Sequence, residues 1–501
     1  MTNPFDLILG AVAPVAPTAP RSTAFASDAV APSEGFVLPV APRTITLFPY
    51  QVAGVEAILA GRRIILGHQP GMGKTAIAQA AIAAIVAEGR VIVVVPPSLR
   101  VDPWAKAFAA DYPHLRVTMV EGTKPAPIDA ADVAIVGDSV IAARLDDLLA
   151  FGAVAVFADE AHRFKSVKAK RSQALKAIAD TVSTVVPMTG TLAVNRPDEI
   201  YMPIRIAGSD VARKVSGGGG YNDFVTAWCI TEPVYIPSLG RTIQKVVGAK
   251  DAPALHRRLR ETCYVRVARD LVLDLPNHGW SVHSLTLNGS MSTYRRMERD
   301  FIAWVRAAKG DKAAGRARKA EAVTKMMALW QEAGRAKVGA TVEYVSALIE
   351  QGEPVVIMAW HTSVIDGLAE AFPDAAVIKG GLSSDRKSEI TADFQAGRTN
   401  VLIGQIEAAG TGITLHKAAH LVFAQLPWSP GVLVQAAERI FRIGQVRDVT
   451  WHVLNSGDSI DERLWGVVND KAQVVDAINA GKPVSIDPDS VTEAVLAGYG
   501  W

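Results

Sequence analysis

A glycine-rich stretch, GHQPGMGKT at residues 67–75, contains the residue types that bind phosphate. It follows a short apolar run and opens a helix-forming stretch rich in alanine and isoleucine. Glycines let backbone N–H groups turn toward phosphate oxygens, a lysine places a cation near the β- and γ-phosphates, and a threonine hydroxyl can ligate Mg²⁺. His68 replaces the usual first glycine, so a glycine-rich turn without a ligand stays open as the alternative. We predict that this phosphate loop binds ATP and Mg²⁺ through Gly71, Met72, Gly73, Lys74 and Thr75.

Polar residues also follow two apolar runs downstream of the phosphate loop. An acidic pair, Asp159 and Glu160, ends a run of strand-forming residues. Beside a phosphate loop, Asp159 would coordinate Mg²⁺ together with Thr75, and Glu160 would activate the attacking water. Such a pair is commonly just solvated, and the preceding phosphate loop is what favours catalysis. The Thr189 turn, Thr189-Gly190-Thr191, could sense the nucleotide, although an ordinary turn is equally consistent with it.

A third group of candidate residues lies far along the chain, in the arginine segment QAAERIFRIGQ at residues 435–445. Gln435, Arg439 and Arg442 are spaced by four and three residues, so we expect them to share one face of a helix. Glu438 is the one acidic neighbour within the segment. Phosphate recognition by arginine fingers accounts for this spacing, and a surface helix with scattered arginines is the alternative.

The elements that must position these residues form two series. Short β-branched runs alternate with amphipathic helical stretches from Leu47 to about Ile206, and again from about Glu353 to Leu454. This alternation is typical of parallel sheets with helices on both faces, so the fold class is α/β with two such lobes. The predicted divisions are a flexible tail (1–45), a first lobe (46–275) with a loop-rich insertion (207–250), a helical protrusion and basic linker (276–340), a second lobe (341–480) and a C-terminal extension (481–501).

Composition and charge narrow the classes of function. The chain is 49% hydrophobic with a net charge of +2, which excludes broad disorder and does not by itself favour nucleic acid. Residues 289–337 carry 12 Lys and Arg against five acidic residues. This basic stretch is either a solvated helix face or a linker that contacts phosphates. Cys229 and Cys263 lack the spacing of a zinc site and fit a reducing compartment. Without a membrane-length apolar run or a basic leader, we expect a soluble, cytoplasmic protein.

Eight motifs occur in the order found in Swi/Snf-type helicase-like ATPases of superfamily two, which this sequence resembles over about 420 residues. It is similar to the HepA-related annealing helicases and their short bacterial and phage relatives. The ending R-I-G-Q and the preceding W-S-P distinguish it from DEAD-box and RecQ-like helicases. The motifs are LFPYQVAGVEAIL (47–59), GMGKT, VVVPPSLRVDPW (93–104), DEAHRFK (159–165), MTGTLAVNRPDEIY (188–201), AAGTGITL (408–415), LPWSPGVLVQAAERIFRIGQ (426–445) and DSIDERLW (458–465).

The resemblance implies two RecA-like lobes of the P-loop NTPase fold with helical protrusions, and an ATP-driven motor on DNA. Duplex or forked DNA would be held through its backbone with little sequence preference, in a bacterial or phage-infected cell, and the tail could dock a protein partner. Gln51 would bond the adenine edge, and the backbone of Gly412 would lie near the nucleotide. The other implied residues are Lys74, Thr75, Asp159 and Glu160, then Gln435, Arg439 and Arg442 toward the γ-phosphate, and Ser98, Leu99, Thr189 and Thr191 in loops that would face DNA or couple it to ATP.

The sequence departs from the family at three places and leaves two rival functions open. Glu407 lies where the family has a small or basic residue, Gly404-Gln405 replaces an apolar-serine pair, and a double arginine is reduced to Arg266. One rival is a strand-separating DNA or RNA helicase, which needs a wedge element that the sequence does not identify. The other is a nucleotide-gated DNA clamp with little turnover, which has no need of Glu160.

Overall fold

The computed structural model describes two compact units, divided between Asp274 and Leu275. We call the unit before this division the first lobe and the unit after it the second lobe. The described residues are 29–128, 130–193, 196–236, 241–285, 291–308, 315–409, 413–480 and 491–500. In this described part of the chain, no helix is both long and apolar enough to cross a bilayer.

The first lobe is built on a parallel sheet of five strands in the order β3-β4-β2-β5-β6. A parallel pair, β1 and β9, is attached to β6 through bridges from Arg63 to Val185 and from Leu66 to Met188. The strands are β1 (Ile65–Leu66), β2 (Arg90–Val95), β3 (Val117–Val120), β4 (Val133–Gly137), β5 (Ala153–Ala158), β6 (Thr184–Pro187), the antiparallel hairpin β7 (Cys229–Ile236) and β8 (Arg241–Ala249), and β9 (Tyr264–Val265).

Helices cover both faces of this sheet, because its central strands are apolar on both sides. Residues Val91–Val95 of β2 are all buried, as are all five residues of β4, and such continuous β-branched runs are characteristic of parallel strands. The helices are α1 (Pro49–Gly61), α2 (Lys74–Ile85), α3 (Lys106–Asp111), α4 (Leu145–Ala150), α5 (Lys170–Thr181), α6 (Tyr201–Ala207), α7 (Ser209–Ser216), α8 (Tyr221–Trp228) and α9 (Ala252–Thr262).

The second lobe has a six-stranded parallel sheet in the order β10-β15-β14-β11-β13-β12. Its strands are β10 (His278–Leu285), β11 (Val355–Ala359), β12 (Ala376–Ile378), β13 (Val401–Gln405), β14 (His420–Phe423) and β15 (Val449–Ser456). Its helices are α10 (Ser292–Ala308), α11 (Gly315–Ala336), α12 (Val338–Glu350), α13 (Thr362–Ala371), α14 (Ser384–Gln395), α15 (Ile406–Ala409), α16 (Pro430–Ala437), α17 (Ile460–Ala480) and α18 (Val491–Gly498). The predicted fold class, α/β with two parallel-sheet lobes, is therefore confirmed.

The predicted loop-rich insertion at 207–250 contains regular structure instead. Helices α7 and α8 flank the glycines of SGGGG, and the β7–β8 hairpin follows them. Gly217 has φ = 77° and ends α7, a left-handed conformation that glycine adopts without strain. The glycine run is thus a short turn between two helices, and its composition concealed the elements on either side.

The segment 276–340 also differs from the predicted helical protrusion and linker. It begins with β10, which pairs in parallel with β15 and extends the sheet of the second lobe. Helices α10 and α11 follow, and their buried apolar residues, among them Tyr294, Phe301 and Trp330, belong to the core of the second lobe. The described basic side chains of α10, such as Arg295 and Arg306, therefore lie on a helix that packs its apolar side chains into this core.

The predicted flexible tail, 1–45, is ordered over its described end. The backbone N–H of Thr44 and its hydroxyl both donate to Asp111, at 2.8 and 2.6 Å. Leu38 and Val40 pack against the core of the first lobe. Residues 29–44 thus contact the first lobe, while the preceding residues lie outside the described part of the chain.

Candidate nucleotide site

The phosphate loop connects β1 to α2, at the end of β1 that faces the start of the helix. Gly71 and Gly73 have φ values of 80° and 74°, the left-handed conformation that lets successive N–H groups point inward. A Cβ atom on Gly73 would lie 2.3 Å from the amide nitrogen of Gln51. Both backbone conformation and space therefore require glycine at position 73.

Lys74 is the first residue of α2, and its ammonium group turns toward the loop. Its Nζ donates to the carbonyl oxygen of His68 at 2.8 Å and to that of Gln69 at 3.3 Å. Burial, the charge of Lys74 and that of Arg266 together lower the pKa of His68 to about 3. The histidine that replaces the usual glycine is therefore neutral and adds no charge to the loop.

Gln51, predicted to bond adenine, lies beside the phosphate loop. Its amide nitrogen donates to the carbonyl oxygen of Met72 at 3.2 Å, and its amide oxygen accepts from the N–H of Phe48 at 2.9 Å. Tyr50, which sequence reasoning missed, donates through its hydroxyl to the same Met72 oxygen at 3.0 Å. The start of α1 thus braces the loop, and the position of Gln51 at this loop stays compatible with its predicted role.

The acidic pair follows β5, and the two carboxylates lie in different surroundings. Asp159 is buried, and burial followed by the charge of Glu160 raises its pKa to about 6. Hydrogen bonds from Trp104 and from the N–H of Glu160, and the charge of Lys74, act in the opposite direction. Since the charge of Lys74 acts on Asp159, the phosphate loop and the acidic pair belong to one electrostatic site.

This donor set suits Mg²⁺. A magnesium ion keeps several waters and takes one or two protein oxygens plus phosphate oxygens, and Asp159 and Thr75 are a carboxylate and a hydroxyl of that kind. Among the described residues, no cluster of three or more His, Cys, Asp or Glu side chains could hold a metal alone. The pair Asp159 and Thr75 is thus compatible with an ion that takes its remaining ligands from a nucleotide and water.

Glu160 is connected to the Thr189 turn through His162. The Nδ1 atom of His162 lies 3.3 Å from the Glu160 carboxylate and 3.2 Å from the Thr189 hydroxyl. Burial, followed by the charges of Arg163 and Lys165, lowers the pKa of His162 to about 4, so its ring is neutral near pH 7. Thr189 in turn donates to the carbonyl oxygen of Thr191 at 2.9 Å.

Arg266, which stands where the family has a double arginine, contacts the phosphate loop and the Thr189 turn. Its guanidinium donates to the carbonyl oxygens of Gly67 and Gly190 at 3.4 and 3.3 Å. A Cβ atom on Gly190 would lie 2.4 Å from the ring of Pro70, so the turn and the loop are also in direct contact. One arginine therefore fastens two motifs that are more than 100 residues apart.

The two residues after β2 whose loop is predicted to face DNA or couple it to ATP differ in exposure. Leu99 is buried in the core of the first lobe, whereas Ser98 is partly exposed. Trp104, farther along the same segment, is the last residue of the motif VVVPPSLRVDPW, and the sequence predicted no role for it. Its indole Nε1 donates to Asp159 at 3.0 Å.

The arginine segment of the second lobe differs from the predicted single helix face. Helix α16 ends at Ala437, so Gln435 lies on the helix and the two arginines lie beyond it. Arg439 donates to the carbonyl oxygens of Gln435 and Ile413, and Arg442 to that of Glu438 and to the hydroxyl of Thr414. Gly412 lies outside the described residues.

The sequence departures noted in the second lobe have structural partners. Gln405 accepts from the N–H of Gly380 at 2.8 Å and donates to the carbonyl oxygen of Trp360 at 3.2 Å. Glu407 is exposed on α15. Gln405, at the end of β13, therefore connects the loops that follow β11 and β12, the two strands that flank β13 in the sheet.

Comparison with known proteins decides the family. The model of the SNF2-related domain matches residues 50–334, more than half of the chain, and that of the helicase conserved C-terminal domain matches residues 337–444. This chain belongs to the SNF2-related family. The predicted kinship with Swi/Snf-type helicase-like ATPases is thereby confirmed, and the boundary between the two matched domains falls where α11 ends and α12 begins.

Curated relatives of this SNF2-related chain come from animals. Human "DNA annealing helicase and endonuclease ZRANB3" is 27% identical over 459 residues, covering 88% of this chain and 41% of the relative. The Xenopus tropicalis "SWI/SNF-related matrix-associated actin-dependent regulator of chromatin subfamily A-like protein 1" is 28% identical over 439 residues, covering 86% and 44%. The chain thus spans less than half the length of these relatives. The expected bacterial and phage kinship stays a prediction.

Two solved structures are also similar, at lower levels. The Sulfolobus solfataricus SWI2/SNF2 ATPase core in complex with dsDNA is 19% identical with a TM-score of 0.38, covering 89% of this chain and 96% of that one. The Sulfolobus solfataricus SWI2/SNF2 ATPase core domain has a TM-score of 0.41, covering 93% of this chain and 96% of that one. At these TM-scores the likeness carries no argument about this chain.

Proposed function

We propose that this SNF2-related chain is an ATP-driven motor that moves along duplex or forked DNA. The observation that carries the proposal is the chain of contacts from Glu160 through His162 to the Thr189 turn. The group placed to activate water is thereby tied to a strand-end turn whose Thr189 is buried and whose Gly190 and Thr191 are partly exposed, and we propose that this turn couples DNA contact to hydrolysis. Displacement of that turn by DNA would change the position of the base, so DNA contact would control hydrolysis.

The residues of the site have distinct tasks in this proposal. The N–H groups of the phosphate loop and the ammonium of Lys74 bind the phosphates, and the amide of Gln51 would meet adenine. Asp159 and Thr75 would hold a Mg²⁺ ion, which neutralises phosphate charge when bound. Glu160 accepts the proton of the attacking water. Gln435, Arg439 and Arg442 are proposed to contact the γ-phosphate, where arginine stabilises the charge that develops.

DNA as the track is supported by the names of the relatives, since one is called a DNA annealing helicase. Backbone contacts would dominate, because a motor must pass over every sequence. Such contacts release counterions, so DNA stimulation should weaken as salt rises. The buried thiols Cys229 and Cys263 are free, which agrees with a reducing compartment such as the cytoplasm.

Phosphate release by the purified chain tests this function. The assay compares no nucleic acid, duplex DNA, single-stranded DNA and RNA, at two salt concentrations. We expect duplex DNA to stimulate hydrolysis more than RNA, with a smaller stimulation at the higher salt concentration. Glu160→Gln, prepared in the same way, controls for contaminating ATPases. Hydrolysis that is unaffected by every nucleic acid would contradict the proposal.

Strand separation is a second candidate function, and the β7–β8 hairpin is the observation that favours it. Its base is anchored by Cys229 and Val246, which are buried in one cluster with Leu192, next to the Thr189 turn. Farther out, Val234 pairs with Ile243 across the ribbon, and Val234 is 38% exposed. A ribbon that carries an exposed valine near the Thr189 turn could act as a wedge between paired strands.

Unwinding assays separate this candidate from the motor. Val234→Asp should abolish release of a labelled strand from a tailed duplex if the hairpin splits base pairs, with hydrolysis unchanged. Glu232→Gln, on the same ribbon, serves as the matched control. A wild-type chain that hydrolyses ATP on duplex DNA but releases no strand would exclude strand separation.

A further inference from the structure

Trp104 contacts two parts of the nucleotide site, the acidic pair and the helix that follows the phosphate loop. Its side chain is fully buried, and its indole Nε1 donates to Oδ2 of Asp159 at 3.0 Å. The backbone carbonyl of the same residue accepts from the side-chain amide of Gln79 at 3.0 Å. Gln79 lies on α2, the helix that begins at Lys74. One residue therefore contacts both the acidic pair and the helix of the phosphate loop.

The second oxygen of Asp159 is fixed as well. The N–H of Glu160 donates to Oδ1 at 2.9 Å. With one donor on each oxygen, the plane of the carboxylate is set by Trp104 on one side and by the backbone on the other. A buried acid held in this way keeps a single orientation, because each rotation of the group breaks a charge-assisted hydrogen bond.

Trp104 also lies on the segment that follows β2. The turn Pro97–Leu99 is succeeded by Arg100–Ala105, a helical stretch with a kink at Asp102, and Trp104 lies just after this kink. Ser98, at the start of this segment, is the partly exposed residue expected to face DNA. A shift of this segment would move the indole, and with it the hydrogen bond to Asp159.

We propose that Trp104 is a positioning residue that orients Asp159 toward Mg²⁺ and transmits DNA contact at the Ser98 turn to this carboxylate. The inference rests on the proposed function for its DNA-dependent part. Its structural part, the orientation of a metal-binding carboxylate by an indole N–H, stands on the contacts alone. Partners that orient metal ligands in this way typically change metal affinity or activity by about 10- to 100-fold.

Trp104→Phe tests the proposal, because it keeps an aromatic ring in the core and removes the N–H donor. Binding of a non-hydrolysable fluorescent ATP analogue is titrated with Mg²⁺ in the absence of DNA. We expect the variant to need about 10-fold more Mg²⁺ for half-maximal binding. We also expect the ratio of duplex-stimulated to basal kcat to fall toward one, since the carboxylate no longer follows the segment.

Phe108→Leu is the matched control. Phe108 is buried in the same core, with its ring centroid 6.1 Å from that of Trp104. Its replacement by leucine reduces the packing there and leaves the hydrogen bonds of Asp159 in place. It should keep the wild-type Mg²⁺ dependence and stimulation ratio at a comparable loss in Tm. Gln79→Met removes the hydrogen bond to the backbone carbonyl of Trp104 and keeps the indole. It should shift the Mg²⁺ dependence and the stimulation ratio in the same direction as Trp104→Phe but by a smaller amount. This variant replaces Trp104→Phe in the test if the latter fails to fold.

Each outcome decides a different point. Wild-type Mg²⁺ dependence in Trp104→Phe, or equal changes in Trp104→Phe and Phe108→Leu, would overturn the positioning role. An altered Mg²⁺ dependence with an unchanged stimulation ratio would overturn the transmission of DNA contact. A wild-type chain without any DNA stimulation would contradict the proposed function, while the Mg²⁺ titration would still report on Trp104.

Discussion

The two lobes place their candidate residues by different means. In the first, the phosphate loop, the acidic pair and the Thr189 turn follow short parallel strands, and hydrogen bonds of Trp104, His162 and Arg266 connect these segments with their neighbours. In the second, Arg439 and Arg442 lie in an irregular turn beyond α16 and are held by nearby carbonyl oxygens. The first arrangement fixes carboxylates against a rigid sheet edge, whereas the second holds cations on a turn.

This difference predicts how each lobe fails when altered. Removal of a side chain from the first lobe disturbs neighbours that share its hydrogen bonds. In the second, Arg439 is buried, whereas Arg442 is partly exposed and bonds one carbonyl and one hydroxyl. Removal of Arg442 should therefore affect catalysis with less cost in stability than removal of Arg439.

The largest effect is expected for Arg442→Ala. Loss of a finger that stabilises transition-state charge lowers kcat by about 10³-fold or more and leaves ATP affinity nearly intact. Steady-state phosphate release and equilibrium binding of a fluorescent ATP analogue measure the two quantities. Arg447→Ala, which removes an arginine paired with Glu353 just past the segment, should retain kcat. If Arg442→Ala hydrolyses ATP normally, the segment is a surface turn.

Glu160→Gln should have the next largest effect. Loss of a general base typically slows hydrolysis about 100-fold or more, and ATP binding should persist because the phosphate loop is unchanged. Lys74→Ala should instead remove most of the binding. Glu88→Gln, which alters an exposed carboxylate paired with Arg62, is the control. Normal turnover in Glu160→Gln would exclude this residue from the mechanism and favour the clamp interpretation.

A smaller effect concerns pH. Burial, followed by the charges of His420 and His283, lowers the pKa of His452 in the second lobe to about 3. Below about pH 6.5, His452 binds a proton in the unfolded chain but stays neutral in the folded chain. The free energy of unfolding should therefore fall as the pH drops below about 6.5. We expect roughly 1 kcal/mol for each pH unit, measured by denaturant unfolding.

His452→Gln supplies the test of this assignment. The amide can still bond Tyr344 and His420, which contact the histidine at 2.8 and 2.9 Å, but it does not titrate. Its stability should depend less steeply on pH than that of the wild type. His68 and His162 in the first lobe have pKa values lowered in the same direction, so part of the slope should remain. An unchanged slope would show that His452 contributes nothing.

The smallest effect separates two parts of the N-terminal region. Deletion of residues 2–28, rich in Ala and Pro, should leave Tm within error because such a composition buries little. Deletion of residues 2–44 should lower Tm by a few degrees, since it removes the hydrogen bonds of Thr44 to Asp111 and the packing of Leu38. Equal Tm values for both deletions would show that residues 29–44 add no stability.

Local patterns predicted the strand-loop-helix around Lys74 and the strand that ends at Asp159, because apolar runs and glycines determine those elements directly. The helix face proposed for Arg439 and Arg442 was wrong, since spacing does not reveal that the chain leaves the helix after Ala437. The contacts of Trp104 and Arg266 join positions far apart in sequence. Both sets of contacts depend on tertiary packing. The sequence contained one signal for those of Trp104, its place at the end of the family motif VVVPPSLRVDPW, and none for those of Arg266.

Triplex displacement tests most directly whether the chain moves along DNA. A third strand bound to a duplex is followed with ATP, with a non-hydrolysable analogue, and with Glu160→Gln as the inactive control. We predict that the wild-type chain displaces the third strand with ATP alone, and that it leaves a tailed duplex paired. Failure to displace the third strand under conditions where duplex DNA stimulates hydrolysis would contradict the motor. Efficient release of a strand from the tailed duplex instead would favour the helicase.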